Sequence, residues 1–421
     1  MVKPGHLVCG ALLLFSACTE DMSMALPQTG NAGSAANAGS AGSAGSVADA
    51  GAADGGRTPG ASLQHPNPLL SRGKTTFSFP PGGAAVVDGN YHGGGWFAGS
   101  PSAQAPAWVA IQLGAGPTRI LVQWDDGGTY NYQDPTSSMV YGLPRSYGIE
   151  VSSDSSNGQD GAWTNVVTVA DNAVRTRGHA IDFSGKSWVK LLITAPPTNA
   201  ANGVTIGEID VHDISATGDG MPEDTWLFMG DSITAFAYDR AVAHQPSFAA
   251  GINALASGYF PAMINAGIGG ELASGALGRL DAVLQLNPAY HFVVLGYGTN
   301  DAGGNQVPVA TFKTTLQTLI DRLRADGRVP VIPHIPPSGD GNHGGIPAYN
   351  EAIDQLNTEN QLRPGPDLYK YFSDTAGLFV CPPCAAPRMT DNLHPNDDGL
   401  KGMNAAWTQA MRSLYPSAAA E

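Results

Sequence analysis

Between about Leu63 and Ser215, apolar and polar residues alternate with a period of two in short runs. Trp108-Val-Ala-Ile-Gln-Leu113 places Val109, Ile111 and Leu113 on one face, and Arg119-Ile-Leu-Val-Gln-Trp124 and Glu208-Ile-Asp-Val-His212 alternate in the same way. Successive residues of a strand point to opposite faces, so this pattern predicts strands that are buried on one side. Clusters of Gly, Pro, Asn and Asp separate the runs and no long helical period intervenes, which together predict an antiparallel β-sandwich over residues 63–215. From Glu223 to residue 417 the pattern changes. Apolar runs at Trp226–Met229, Ala262–Ile268, His291–Leu295 and Val329–Ile335 are separated by helix-like stretches around Phe248–Leu255, Ala276–Leu286 and Val309–Ala325. Regular alternation of strand and helix predicts a parallel sheet covered by helices on both faces.

The first residues carry a different pattern. Lys3 supplies a positive charge, and an apolar run from Leu7 to Ala17 ends in Phe15-Ser16-Ala17-Cys18. This run is too short for a membrane-spanning helix, which needs about 20 residues, but it suits a signal peptide over residues 1–17. The small residues before Cys18 resemble the lipobox of bacterial lipoproteins, which implies lipidation of Cys18. Residues 18–62 are rich in Ala, Gly and Ser. Such residues bury too little apolar area to offset the entropy of ordering, so a flexible tether is expected. The expected location is therefore outside the cell, as a cell-surface or outer-membrane lipoprotein or as a secreted protein, with the membrane reached only through the lipid anchor.

Charge and cysteine usage narrow the function. The chain has 21 Lys and Arg against 36 Asp and Glu, a formal charge of −15. Nucleic-acid affinity rests largely on cations that neutralise phosphates, so nucleic acid is not an expected partner. Besides Cys9 and Cys18, the only cysteines are Cys381 and Cys384. In an exported protein a disulfide between them is expected in preference to a redox site.

Four short strings carry the candidate chemistry: Gly230-Asp-Ser-Ile-Thr234, Asn265-Ala-Gly-Ile-Gly-Gly-Glu271, Gly298-Thr-Asn-Asp301 and Asp391-Asn-Leu-His-Pro395. The first three follow apolar runs, and function in open α/β sheets gathers at the carboxyl ends of strands. A serine hydroxyl needs a neighbouring base, and histidine is matched to that task near neutrality. His394 sits in Asp-x-x-His spacing ahead of a helical stretch. Ser232 is thus the candidate nucleophile, His394 the base, and Asp391 either the group that orients it or a helix N-terminal residue.

In that order the four strings resemble the blocks of the SGNH/GDSL serine hydrolases. The resemblance implies a flavodoxin-like, parallel-sheet, three-layer α/β hydrolase domain over 223–417. It also implies an oxyanion hole formed by the backbone N–H of Ser232, the backbone N–H of Gly270 and the side-chain amide of Asn300. Tyr297 and His334 are expected to line the cleft. No G-x-S-x-G elbow surrounds Ser232, and no phosphate loop or paired Cys/His metal spacing is present, so no cofactor is expected in the site.

The first region resembles the discoidin-like galactose-binding fold, a jelly-roll type of sandwich. The resemblance rests on Ala85-Val-Val-Asp-Gly-Asn90, Trp96, Pro106 to Gly114, Pro144 to Val151, Trp163, Val174 to Arg177 and Trp188. It implies sugar binding through loops, for which Trp96 and Tyr130 are the candidates, and a structural calcium, for which Asp88 and Asn90 are. The expected activity is removal of O-acetyl groups from polysaccharide or oligosaccharide. The alternatives are a lipase-, lysophospholipase- or thioesterase-like enzyme, or a surface sugar-binding protein with an inert hydrolase module.

Overall fold

The computed structural model describes residues 62–91, 95–125, 143–174, 177–196, 203–304, 307–373 and 389–416. The signal peptide, Cys18, all of the tether except Ser62, Tyr130, Cys381 and Cys384 fall outside the described residues. Among the described residues the first region has ten strands, nine of them shorter than eight residues: β1 Thr76–Phe79, β2 Trp96–Gly99, β3 Ala107–Gln112, β4 Arg119–Asp125, β5 Ser146–Ser152, β6 Trp163–Val169, β7 His179–Asp182, β9 Val204–Ile206 and β10 Glu208–Asp213, with β8 at Trp188–Ala195. Five of them form an antiparallel sheet in the order β1-β3-β8-β5-β6, three form β10-β4-β7, and β2 pairs with β9.

The two larger sheets face each other across one core. Val109 and Ile111 of β3, Ile149 and Val151 of β5, and Leu191 and Ile193 of β8 meet Ile120, Val122 and Trp124 of β4 and Ile209 and Val211 of β10. The period-two residues predicted to share a face do so. Trp96 departs from expectation. It lies on β2 with 1% of its surface exposed, and its indole N–H donates to the Pro80 carbonyl. The tryptophan expected as a loop platform for sugar is a core residue, because the chain at β2 is a strand whose alternate residues face inward. Asp88 accepts from the Asn90 N–H at 2.8 Å, closing a local turn. Among the described residues no group of three or more His, Cys, Asp or Glu gathers as metal ligands.

The second region is built on a parallel sheet in the order β12-β11-β13-β14, from Ala262–Gly267, Thr225–Gly230, Phe292–Gly296 and Val329–Val331. Alternate residues of each strand feed different cores. Leu227, Met229, Val293 and Leu295 pack with helices α3 (Ala273–Leu286), α5 (Val309–Ala325) and α6 (Ile346–Glu359). Trp226, Phe228, Phe292 and Val294 pack on the other face with α1 (Ser232–Ala237), α2 (Phe248–Leu255), α7 (Leu368–Ser373) and α8 (Asp397–Met411). A short helix, α4, spans Thr299–Ala302. The last strand is shorter than the apolar run predicted, since Pro330, Pro333, Pro336 and Pro337 remove the donors a ladder needs. Among the described residues no helix is long and apolar enough to cross a membrane.

The antiparallel and parallel regions share packing. Leu121, Val174 and Ile214 of the first region belong to the same buried cluster as Tyr290, Leu280 and Val293. The Gln123 side chain donates to the Met263 carbonyl and accepts from the Tyr290 hydroxyl. Arg240, just after α1, is buried against Asp210 of β10 and lies 4.0 Å from the centre of the Tyr91 ring. Polar groups removed from water this thoroughly must be paired. The segment from Tyr238 to Pro246 is polar for that reason: Asp239 holds His244 at 2.8 Å, and His244 also faces Asp397 of α8 at 3.4 Å.

Candidate active site

The candidate nucleophile, Ser232, stands at a sharp strand-to-helix turn. β11 ends at Gly230, where an added Cβ would come within 2.0 Å of the Thr234 hydroxyl and 2.6 Å of the Gly296 carbonyl. Only glycine lets the chain pass there. Asp231 then caps α1, its carboxylate accepting from the Ile233 N–H at 3.0 Å. Ser232 is the first residue of α1, so its backbone N–H is among those with no partner inside the helix.

His394 is delivered by a compact turn from far along the chain. One oxygen of Asp391 accepts from the backbone N–H groups of Leu393 at 3.1 Å and His394 at 2.7 Å. The other oxygen accepts from His394 Nδ1 at 2.8 Å. The Thr390 N–H donates to the His394 carbonyl at 2.7 Å and closes the turn. Asn396, not Asp391, caps α8, with its side chain accepting from the Gly399 N–H. His394 Nε2 lies 2.9 Å from Ser232 Oγ. With Nδ1 facing a carboxylate, the ring carries its proton there and leaves Nε2 free to accept from the serine. Burial by itself would raise the Asp391 carboxyl, but its hydrogen bonds from the His394 ring and backbone and from Leu393 hold it below the ordinary carboxylate value. It is therefore a carboxylate at neutral pH.

The neighbouring carboxyl behaves in the opposite way. Burial pushes Asp231 up to about 6, with the Ile233 amide and the Thr299 hydroxyl pulling in the other direction. The site thus holds two carboxyls, one exposed and low, one buried and high.

The oxyanion candidates come from the ends of β12 and β13, the two strands that flank β11. Gly270 follows β12 with φ +76 and no atom within 4 Å of where a Cβ would stand. Asn300 lies in α4 after β13, and one amide hydrogen donates to the Glu271 carbonyl at 3.1 Å. An amide nitrogen has two hydrogens, so a second remains for an incoming anion. Phe236 of α1 packs edge-on against the His394 ring, with centroids 5.6 Å apart.

The two expected cleft residues, Tyr297 and His334, line one pocket with Asp231 and Thr299, and their polar atoms are already engaged. Tyr297 is 1% exposed, and its hydroxyl donates to Glu271 and accepts from Arg279. The side chain points into the protein because it ends the buried strand pattern of β13. His334 has both ring nitrogens engaged, by Asp367 and Asp354 at 2.9 Å each, which leaves none for substrate. Glu271 and Arg279 were not singled out from the sequence. A signal for Arg279 exists: it lies three residues after Ala276 and four before Val283, on the apolar stripe of α3, where a charge demands a partner.

Residues 228–401 match the model of the GDSL-like Lipase/Acylhydrolase family. No curated protein matches the chain. Among solved structures, the chain is similar to a lipase/acylhydrolase from Enterococcus faecalis, with 23% identity and a TM-score of 0.38 over 47% of this chain and 100% of that one. It is also similar to an acetylxylan esterase from Geobacillus stearothermophilus, with 16% identity and a TM-score of 0.35 over 45% of this chain and 94% of that one.

Proposed function

We propose that the GDSL-like domain is a serine esterase that removes short acyl groups, O-acetyl groups of polysaccharide in the first place, with Ser232, His394 and Asp391 as its catalytic triad. The observation that carries this is the hydrogen-bond chain from Ser232 Oγ through both nitrogens of His394 to Asp391. Ser232 attacks the ester carbonyl as its proton passes to His394 Nε2. The carbonyl oxygen becomes an anion held by the N–H groups of Ser232 and Gly270 and by the Asn300 amide. Collapse expels the sugar alcohol, which takes the proton back from His394, and leaves an acyl-serine. Water, deprotonated by the same imidazole, then releases the acid and regenerates the hydroxyl.

Support for a short acyl group comes from the segment after α1. Arg240 is paired with Asp210 of β10, and His244 with Asp239 and with Asp397 of α8, so this stretch is pinned rather than poised as an apolar lid. Support for a polymer comes from the antiparallel sheets packed ahead of the hydrolase domain, in a region whose sequence resembles the discoidin-like galactose-binding fold. An anchor beside a catalytic site raises the local concentration of its substrate. Export through residues 1–17 and anchoring at Cys18 belong to the same proposal and rest on sequence.

The test is acetate release from acetylated xylan, mannan and pectin, together with para-nitrophenyl acetate and octanoate as small esters. Ser232→Ala is expected to lower turnover by at least about 1000-fold while the protein stays folded. Faster turnover of octanoate than acetate would replace the deacetylase reading with a lipase-like one. An inactive native protein that still binds polysaccharide would make the hydrolase module inert.

A further inference from the structure

We infer that Arg279, Glu271 and Tyr297 form a buried cluster that positions the oxyanion hole, holding Gly270 and Asn300 at the distance an anion needs. The inference rests on the esterase reading above and adds residues that the four sequence blocks do not name as acting in it.

The geometry is a clamp between two strand ends. Arg279 projects inward from α3 and grips Glu271 with two nitrogens: Nε donates to one carboxylate oxygen at 2.7 Å and Nη2 to the other at 2.6 Å. Nη2 also donates to the Ala266 carbonyl at 2.7 Å, near the end of β12, and approaches the Tyr297 hydroxyl at 3.0 Å. Tyr297 in turn donates to Glu271 at 2.8 Å. Glu271 directly follows Gly270, and Tyr297 stands three residues before Asn300. The Glu271 carbonyl accepts from the Asn300 side chain at 3.1 Å, so the clamp reaches both proposed donors. The same two loops are tied again by the Asp301 carboxylate, which accepts from the Ala273 N–H at 3.2 Å.

The chemistry suits positioning rather than proton transfer. Arg279 and Glu271 side chains are 8% and 9% exposed, and Tyr297 is closed off from solvent. Burial holds the Tyr297 phenol well above its usual range, so it remains a donor at every working pH. A two-nitrogen grip fixes the plane of a carboxylate, which a lysine cannot do. Gly270 needs such fixing: its left-handed backbone has no side chain around which to pack. A donor displaced by a fraction of an ångström loses most of its stabilisation of the transition state while ground-state binding is spared.

The experiment compares Tyr297→Phe and Arg279→Lys with the native full chain, using para-nitrophenyl acetate and phenylboronic acid. Boron becomes tetrahedral on the serine and places an oxygen in the hole. Positioning predicts a kcat about 10-fold lower for Tyr297→Phe and about 10- to 100-fold lower for Arg279→Lys, each with KM within about twofold, and a Ki for phenylboronic acid raised by a similar factor. Tyr297→Phe keeps the ring and so keeps the test usable if Arg279→Lys fails to fold. Variants that melt earlier yet keep native kcat and Ki would reduce the cluster to an ordinary buried ion pair and overturn the inference. Failure of the esterase reading is seen separately, as a native protein without turnover or a Ser232→Ala variant that retains it.

Discussion

The Arg240–Asp210 pair makes a quantitative claim about how the two folded regions depend on each other. Arg240 belongs to the segment after α1 and Asp210 to β10; their side chains are 5% and 0% exposed. Arg240→Met keeps much of the volume and removes the charge. Asp210 then keeps the Tyr91 hydroxyl at 3.1 Å, with His212 and the more distant Arg72 nearby. Breaking a buried pair by deleting one partner costs about 3–5 kcal/mol, because the remaining charge stays out of water. The surviving Tyr91 bond argues for the lower end, about 3 kcal/mol. At roughly 2 °C per kcal/mol for a chain of this size, the melting temperature should fall by about 6 °C. Thermal unfolding followed in parallel with loss of the proposed esterase activity measures it. Asp210→Asn combined with Arg240→Met should cost less than the sum of the single changes by at least about 1 kcal/mol, since the double variant buries no unpaired charge. A shift under about 2 °C for Arg240→Met, or strict additivity, would refute the reasoning and make the two regions independent.

Further outcomes follow from the site. Asp391→Asn should lower kcat by about 100- to 10000-fold with little change in stability, because the imidazole loses the carboxylate that orients it; circular dichroism and steady-state kinetics separate the two effects. Gly270→Ala meets no neighbour, yet at φ +76 it forces a side chain into the left-handed region, so activity should fall by about 10-fold or more while expression is maintained; native kcat would speak against Gly270 as a donor. Asp231 gives a pH test. Its folded-state value of about 6 lies above the ordinary 3.8, so the folded state holds the proton more tightly and stability falls as pH rises between those values. Asp231→Asn removes that cost: its melting temperature relative to the native chain should rise from pH about 4 to about 6, by an equivalent of at most about 3 kcal/mol, and a difference flat across that window would refute the assignment.

How much was legible in the sequence varies with the range of the interaction. The strand faces of β3, β4 and β10 and the helices at Phe248–Leu255 and Val309–Ala325 are where their periods put them, since alternation and helical pitch are local properties of the chain. The helix at Ile346–Glu359 went unpredicted although Ile346, Tyr349, Ile353 and Leu356 have helical spacing, because Pro347 early in the run reads as a break unless the helix start is known.

The sequence by itself determined the residue types of the chemistry: a serine after Gly-Asp at a strand end, an Asp-x-x-His turn, a glycine and an asparagine after the next strands. Tertiary structure decided which of these meet. Ser232 and His394 are separated by 162 residues, and their 2.9 Å contact is set by the packing of α1 and α8 on one face of the sheet. It also decided that Trp96 and Tyr297 face inward. Burial is a sum over neighbours brought from elsewhere in the chain, which no local pattern contains, and an aromatic residue reads alike in sequence whether it stacks in a core or faces a ligand.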